Sequence, residues 1–119
     1  MAANTTPIFP GKIRTEIHGL TAGVPKEVWI AGTDGSRIDK ILVSTSAPSS
    51  IKVRIKNADS GIDLETIEVK GGAGTENPSE DIIQKARTWT DGDLWLAGGF
   101  TLTLTSDSTA TTLLQGGDY

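Results

Sequence analysis

The chain has 119 residues, with 15 Asp and Glu against 11 Lys and Arg, a formal net charge of −4 and no cysteine. That length holds one domain with its own core, and the missing thiols exclude disulfide staples and thiolate metal sites. The acidic balance argues against nucleic acid, the lack of any run near ~18 apolar residues argues against a membrane, and Met1-Ala2-Ala3-Asn4-Thr5-Thr6 lacks the basic and apolar regions of a signal peptide, so cytosolic synthesis is expected.

Residues 1–11 read as an extended arm. Pro7 and Pro10 each fix φ, remove a donor and bias the preceding residue toward extended backbone. Ile8 and Phe9 between them are large and apolar. They either tuck against the edge of their own subunit or dock on a neighbour.

Strand signals begin at Lys12. Lys12–His18 alternates through Ile13, Thr15 and Ile17. After a loop over Gly19–Pro25, Glu27–Ala31 places Val28 and Ile30 on one face and Trp29 on the other. Gly32-Thr33-Asp34-Gly35 is a turn in which Asp-Gly supplies positive φ. Arg37–Thr45 is longer and apolar on both faces, with Ile38 and Leu42 opposite Ile41 and Val43, which suits a central strand. Ala47–Ser50 turns the chain into Ile51–Lys56, the clearest alternation: Ile51, Val53 and Ile55 against Lys52, Arg54 and Lys56. Asn57–Gly61 is a polar turn. In Ile62–Lys70 the apolar phase slips by one near Thr66, which predicts a β-bulge.

Gly71-Gly72-Ala73-Gly74 is a flexible loop. Asn77-Pro78-Ser79-Glu80 fits a helix start, with a capping Asn and Pro at the first helical position. The pattern predicts a short helix over Pro78–Lys85, with a strand over Ile82–Trp89 as the competing reading. Turns at Asp91–Asp93, Gly98-Gly99 and Ser106–Thr109 separate strands at Leu94–Leu96, Phe100–Thr105 and Ala110–Gln115. Gly116-Gly117-Asp118-Tyr119 reads as a flexible tail with an aromatic end. The expected fold is all-β: an antiparallel β-sandwich or jelly roll of about eight strands over residues 12–115, with an arm at 1–11 and a tail at 116–119.

No residue pattern points to catalysis, a cofactor or a metal. His18 stands alone and has no ligand-spaced partner. The Gly71–Thr75 stretch lacks the Gly-Lys-Ser/Thr of a phosphate loop. Asp59, Asp63, Asp91 and Asp93 are accounted for by turn chemistry and lack calcium-loop spacing. Glu65 and Glu68, like Glu80 and Asp81, read as solvated faces. Lys52, Arg54 and Lys56 form a solvated face or one that meets an acidic partner subunit, because no aromatics interleave them for base stacking. Trp29, Trp89 and Trp95 serve core filling or subunit contact, with a sugar platform as the alternative.

Thr33-Asp34-Gly35-Ser36-Arg37-Ile38-Asp39-Lys40-Ile41 resembles the G-S-R-I-D-x-I stretch of a group of small tailed-phage virion proteins. Leu94-Trp95-Leu96-Ala97-Gly98-Gly99-Phe100-Thr101-Leu102 resembles their L-x-L-P-x-G-W-x-L segment, with Ala97 for Pro and Phe100 for Trp. The terminal Gly116-Gly117-Asp118-Tyr119 resembles their G-G-D-[FY], and Thr5-Thr6-Pro7-Ile8-Phe9 their N-terminal arm. The middle of the chain is unmatched. The resemblance implies a β-sandwich head decoration (cement) protein, or a related minor virion component, without enzymatic activity. The expected role is therefore a structural virion protein, made in the bacterial cytoplasm, that binds the outside of a tailed-phage head as a homotrimer and bridges subunits of the major capsid protein. Pro7, Ile8, Phe9 and Pro10 would form the docking arm and Tyr119 a tail anchor. Arg37 and Asp39 would position an interface or form a strand-end ion pair. The alternatives are a tail or head-fibre base protein, or a carbohydrate- or receptor-binding sandwich.

Overall fold

Alternating apolar and polar residues pair into two antiparallel sheets that face each other. The computed structural model describes residues 11–71, 79–86, 89 and 93–119. The elements in chain order are β1 (Lys12–Leu20), β2 (Lys26–Ile30), β3 (Ser36–Thr45), β4 (Ser49–Lys56), β5 (Gly61–Val69), β6 (Ser79–Asp81), α1 (Ile82–Lys85), β7 (Leu94–Leu96), β8 (Thr101–Ser106) and β9 (Ala110–Asp118). One sheet runs β1-β9-β3-β6, with β7 also paired to β3; the other runs β2-β8-β4-β5. The chain is an all-β sandwich, and the expected central strand at Arg37–Thr45 is β3, flanked by β9 on one side and by β6 and β7 on the other. The proposed arm residues Pro7, Ile8, Phe9 and Pro10 lie outside the described residues.

The core sits between the sheets. Ile38, Ile41, Val43 and Leu114 come from the first sheet; Val28, Trp29, Ile51, Val53, Leu102 and Leu104 come from the second. Each such side chain removed from water contributes about 1.5–3 kcal/mol. β8 is buried on both faces, Thr101 and Thr103 as well as Leu102 and Leu104, because it lies between β2 and β4 and under the other sheet. α1 closes one flank by burying Ile82 and Ile83.

Three register shifts decide which side chains enter this core. The first lies between Glu27 and Trp29 on β2, and it turns Val28 and Trp29 inward together while Ile30 is exposed. The expected grouping of Val28 with Ile30 is thereby corrected. The second lies between Ile38 and Lys40 on β3. It brings Ile38 to the side of Ile41 and Val43, and leaves Leu42 half-buried on the other face. The third sets Val53 opposite Glu65 and Arg54 opposite Asp63, so Leu64 is the extra residue. The predicted bulge is therefore present in β5, two positions before Thr66. Strict alternation carries no information about where a bulge will reset it.

The last strand corrects the expected tail. β9 continues past Gln115 through Gly116 and Gly117 to Asp118, paired with β1 on one side and β3 on the other. Gly116 permits this: a Cβ there would sit 2.0 Å from the Arg37 carbonyl oxygen. The expected helix is also shorter and capped elsewhere. Asp81 caps α1 by accepting from the Ile83 N–H, and Ser79–Asp81 is strand; Asn77 and Pro78 lie outside the described residues. No helix among the described residues is long and apolar enough to cross a membrane.

Candidate functional site

Three of the sequence segments that carry the resemblance, residues 33–41, 94–102 and 116–119, meet in space. Gly35 takes φ +95°, closing the Gly32–Gly35 turn through its N–H to the Gly32 carbonyl at 2.9 Å. Its own carbonyl accepts from the Tyr119 N–H at 3.1 Å. Ser36 donates from Oγ to Asp118 Oδ1 at 2.5 Å. The same carboxylate oxygen accepts from Arg14 Nη1 at 2.8 Å. Burial pushes the Asp118 carboxyl up, and the Ser36 and Arg14 hydrogen bonds outweigh it, so the group is held below the usual carboxylate range. The C-terminal residues are thus clamped between β1 and β3.

That clamp presents a surface. Arg37 stands in register with Gly117 on β9 and Trp95 on β7, and Gly117 with Ile13 on β1. Ile13, Gly117, Arg37 and Trp95 therefore form one row across the outer face of the sheet. Tyr119 stacks on Trp95 with ring centroids 5.8 Å apart and planes 15° from parallel. The Arg37 guanidinium lies 5.9 Å from the Trp95 ring centroid, and Arg37 Nε lies 2.9 Å from Asp39 Oδ1. Burial first, and the neighbouring Asp39 second, push the Asp93 carboxyl up. Three residues named from sequence, Arg37, Asp39 and Tyr119, are thus brought to one place, and of the two readings of Arg37 and Asp39 the ion pair is present.

Of the three tryptophans Trp95 reaches the surface, at 57 % exposure, whereas Trp29 is buried and Trp89 packs against the core. Trp29 instead lies under Arg14, whose guanidinium is 4.0 Å from the ring centroid. That contact explains an inversion in β1. Arg14, Glu16 and His18 share the half-buried side, while Ile13 and Ile17 are 90 % and 66 % exposed. Arg14 is satisfied inside by Asp118, by Glu16 and by the Ile30 carbonyl. The alternation of β1 shows two unlike faces, but nothing in it tells which one faces the core. Ile17 in turn lies in register with Leu113, and Leu113 with Leu42. This second apolar row was missed for the same reason.

The remaining chemical candidates are placed as follows. His18 Nε2 lies 3.1 Å from Glu16 Oε1. Among the described residues no group of three His, Asp or Glu could hold a metal. Arg54 pairs with Asp63 and Lys56 with Glu27, so two of the three cations on β4 have acidic neighbours. A groove between β5 and α1 is lined by Glu65, Thr66, Glu68, Gln84 and Lys85. Glu68 accepts there from Ser50, and Lys85 pairs with Glu80. The arrangement in the first sheet offers a flat face with Trp, Tyr and Arg at one end, the residue types that dominate protein contacts.

No protein-family model matches this chain, and neither a curated protein nor a solved structure does so.

Proposed function

We propose that this protein is a structural virion component that decorates the outside of a tailed-phage head and bridges its shell subunits, acting by adhesion rather than by chemistry. The observation that carries the reading is the clasp among these three segments resembling small virion proteins. Ser36 holds Asp118, and Arg37 with Tyr119 flanks Trp95 at the surface. A flat Trp–Tyr–Arg patch suits a protein neighbour more than a small molecule. A sugar platform needs an open aromatic face, and Trp95 is already stacked by Tyr119 and approached by Arg37.

The apolar Ile8 and Phe9 precede the strand that carries exposed Ile13. Residues Pro7, Ile8, Phe9 and Pro10 are the proposed shell-docking arm, with the major capsid protein as partner. Many copies on one lattice add avidity to a contact that is weak singly. The test is co-sedimentation with expanded heads of the phage that encodes the protein. The full chain should sediment with the heads and a variant lacking residues 2–10 should not. Equal binding by both would remove the arm from the account, and no binding by either would refute head decoration.

A further inference from the structure

The outer face of the β1-β9-β3-β7 sheet is unusual for an antiparallel sandwich, where the solvent side is ordinarily polar. It carries the row Ile13–Gly117–Arg37–Trp95 and the row Ile17–Leu113–Leu42. Between them Gln115 pairs with both Thr15 and Lys40. Ile13, Ile17 and Trp95 are mostly exposed, and Leu42 and Leu113 half-buried. Arg37 and Lys40 offset Asp39 and Asp93 and leave Asp81, in register with Leu42 on β6 and held by the Ile41 and Ile83 N–H groups, so the face carries one of the chain's four net negative charges. A face with so small a share of the charge is where two identical acidic molecules approach with least repulsion.

We propose that this face is a contact between two copies of the chain, packed sheet on sheet about a two-fold axis that runs along the strands between β9 and β3. Such an axis sets β9 of one copy over β3 of the other, and β1 over β7. Most of the side chains it opposes are complementary; the exception is Ile17, which falls on the second copy's Asp81, whose carboxylate is engaged by the Ile41 and Ile83 N–H groups. Ile13 falls on the second copy's Trp95, beside the stacked Tyr119. Arg37 falls on the second copy's Gly117, where no side chain occupies the space. Gln115 falls on Lys40, and Leu113 on Leu42. Every contact occurs twice, as an isologous interface requires. Aligned sheets pack about 10 Å apart, which leaves room for these side chains to interdigitate.

Strands of nine, nine, ten and three residues give a face of about 500 Å² per copy from strand spacing and rise. That is below the ~800 Å² per partner of a standard stable interface, so the dimer is weak and concentration-dependent. It differs from the three-fold assembly expected from sequence. It does not depend on head decoration, and its test uses no heads, so either idea can fail alone.

The test is sedimentation equilibrium of the full chain from micromolar to millimolar concentration. The parent should follow a monomer–dimer equilibrium. Ile13→Ala and Trp95→Ala should each weaken it at least tenfold, and far-UV circular dichroism should confirm the fold, since both side chains are outside the core. An equimolar mixture of the two variants should associate more tightly than either variant alone. The mixed dimer keeps one intact Ile13–Trp95 contact and loses the other once rather than twice, which is the coupling expected of direct neighbours. A parent that stays monomeric throughout, or forms mainly trimers, overturns the two-fold contact. So do variants that associate like the parent, and a mixture no tighter than its components overturns the Ile13–Trp95 pairing.

Discussion

Ser36 donates a hydrogen bond to Asp118 across 82 positions of sequence, at 2.5 Å. This bond, with Arg14 on the same carboxylate oxygen, fastens the end of β9 to the start of β3. Hydrogen bonds to charged groups that are largely out of water are worth about 1.5–3 kcal/mol each. Asp118→Asn should lower the free energy of unfolding at neutral pH by about 2 kcal/mol, measured by urea denaturation. An unchanged midpoint would mean that the clamp is incidental.

The same carboxylate sets a pH dependence. Its folded pKa lies below the ordinary value, so its stabilisation is complete above the unfolded value near ~3.9 and is lost as pH falls through the folded value. The stability gap between the parent and Asp118→Asn should therefore close in acid. Asp93 has the opposite sign, because burial and Asp39 raise its folded pKa. Its contribution is present below the unfolded value and is lost as pH rises through the folded one. Asp93→Asn should therefore stabilise at neutral pH and do nothing near pH ~3, as read from melting temperatures across that range.

Removal of Gly116–Tyr119 tests whether the chain end is tail or strand. These residues pair with β1 and β3 or reach Gly35, and they carry the Asp118 clamp. Their deletion should cost more than about 3 kcal/mol, the sum of several ladder bonds and a charge-assisted pair. Gly116→Ala alone should be strongly destabilising, because its Cβ would lie 2.0 Å from the Arg37 carbonyl oxygen. Denaturation midpoints equal to the parent's in either variant would contradict the register of β9.

Thr103 provides a gain of stability. It is buried in β8, and among the described residues its hydroxyl has no hydrogen-bond partner. A buried polar group left unpaired costs about 1–3 kcal/mol. Thr103→Val keeps the shape and should raise stability by about 1 kcal/mol in thermal or urea unfolding. A loss instead would show that the hydroxyl has a partner in solution.

The fold was readable where chemistry is local. Ile51–Lys56 alternates without interruption over most of its length, and Ile51 and Val53 are indeed inward. The Asp-Gly turn at Gly35 is present with its positive φ. What failed was the phase across bulges. Val28 and Trp29 are inward together, and Ile38 joins Ile41, because the two-residue period is broken by a single inserted position. The tail failed for a different reason. Gly116-Gly117 has low strand propensity by itself, and its partners lie 78 or more positions away, so only the paired context makes it a strand. The site was half legible. Arg37 with Asp39 is one candidate in the sequence and Tyr119 another, yet their convergence on Trp95 depends on pairings that local patterns do not encode. The outward apolar rows were hidden because alternation does not reveal which face is dry.

The proposed head decoration is tested most directly by a side-chain-resolution reconstruction of tailed-phage particles incubated with the purified protein. The account predicts this sandwich on the outer surface of the head, with density for Ile8 and Phe9 lodged against the major capsid protein. Finding it in the tail or a fibre base, or on the head with residues 1–10 away from the shell, would contradict adhesion through the arm.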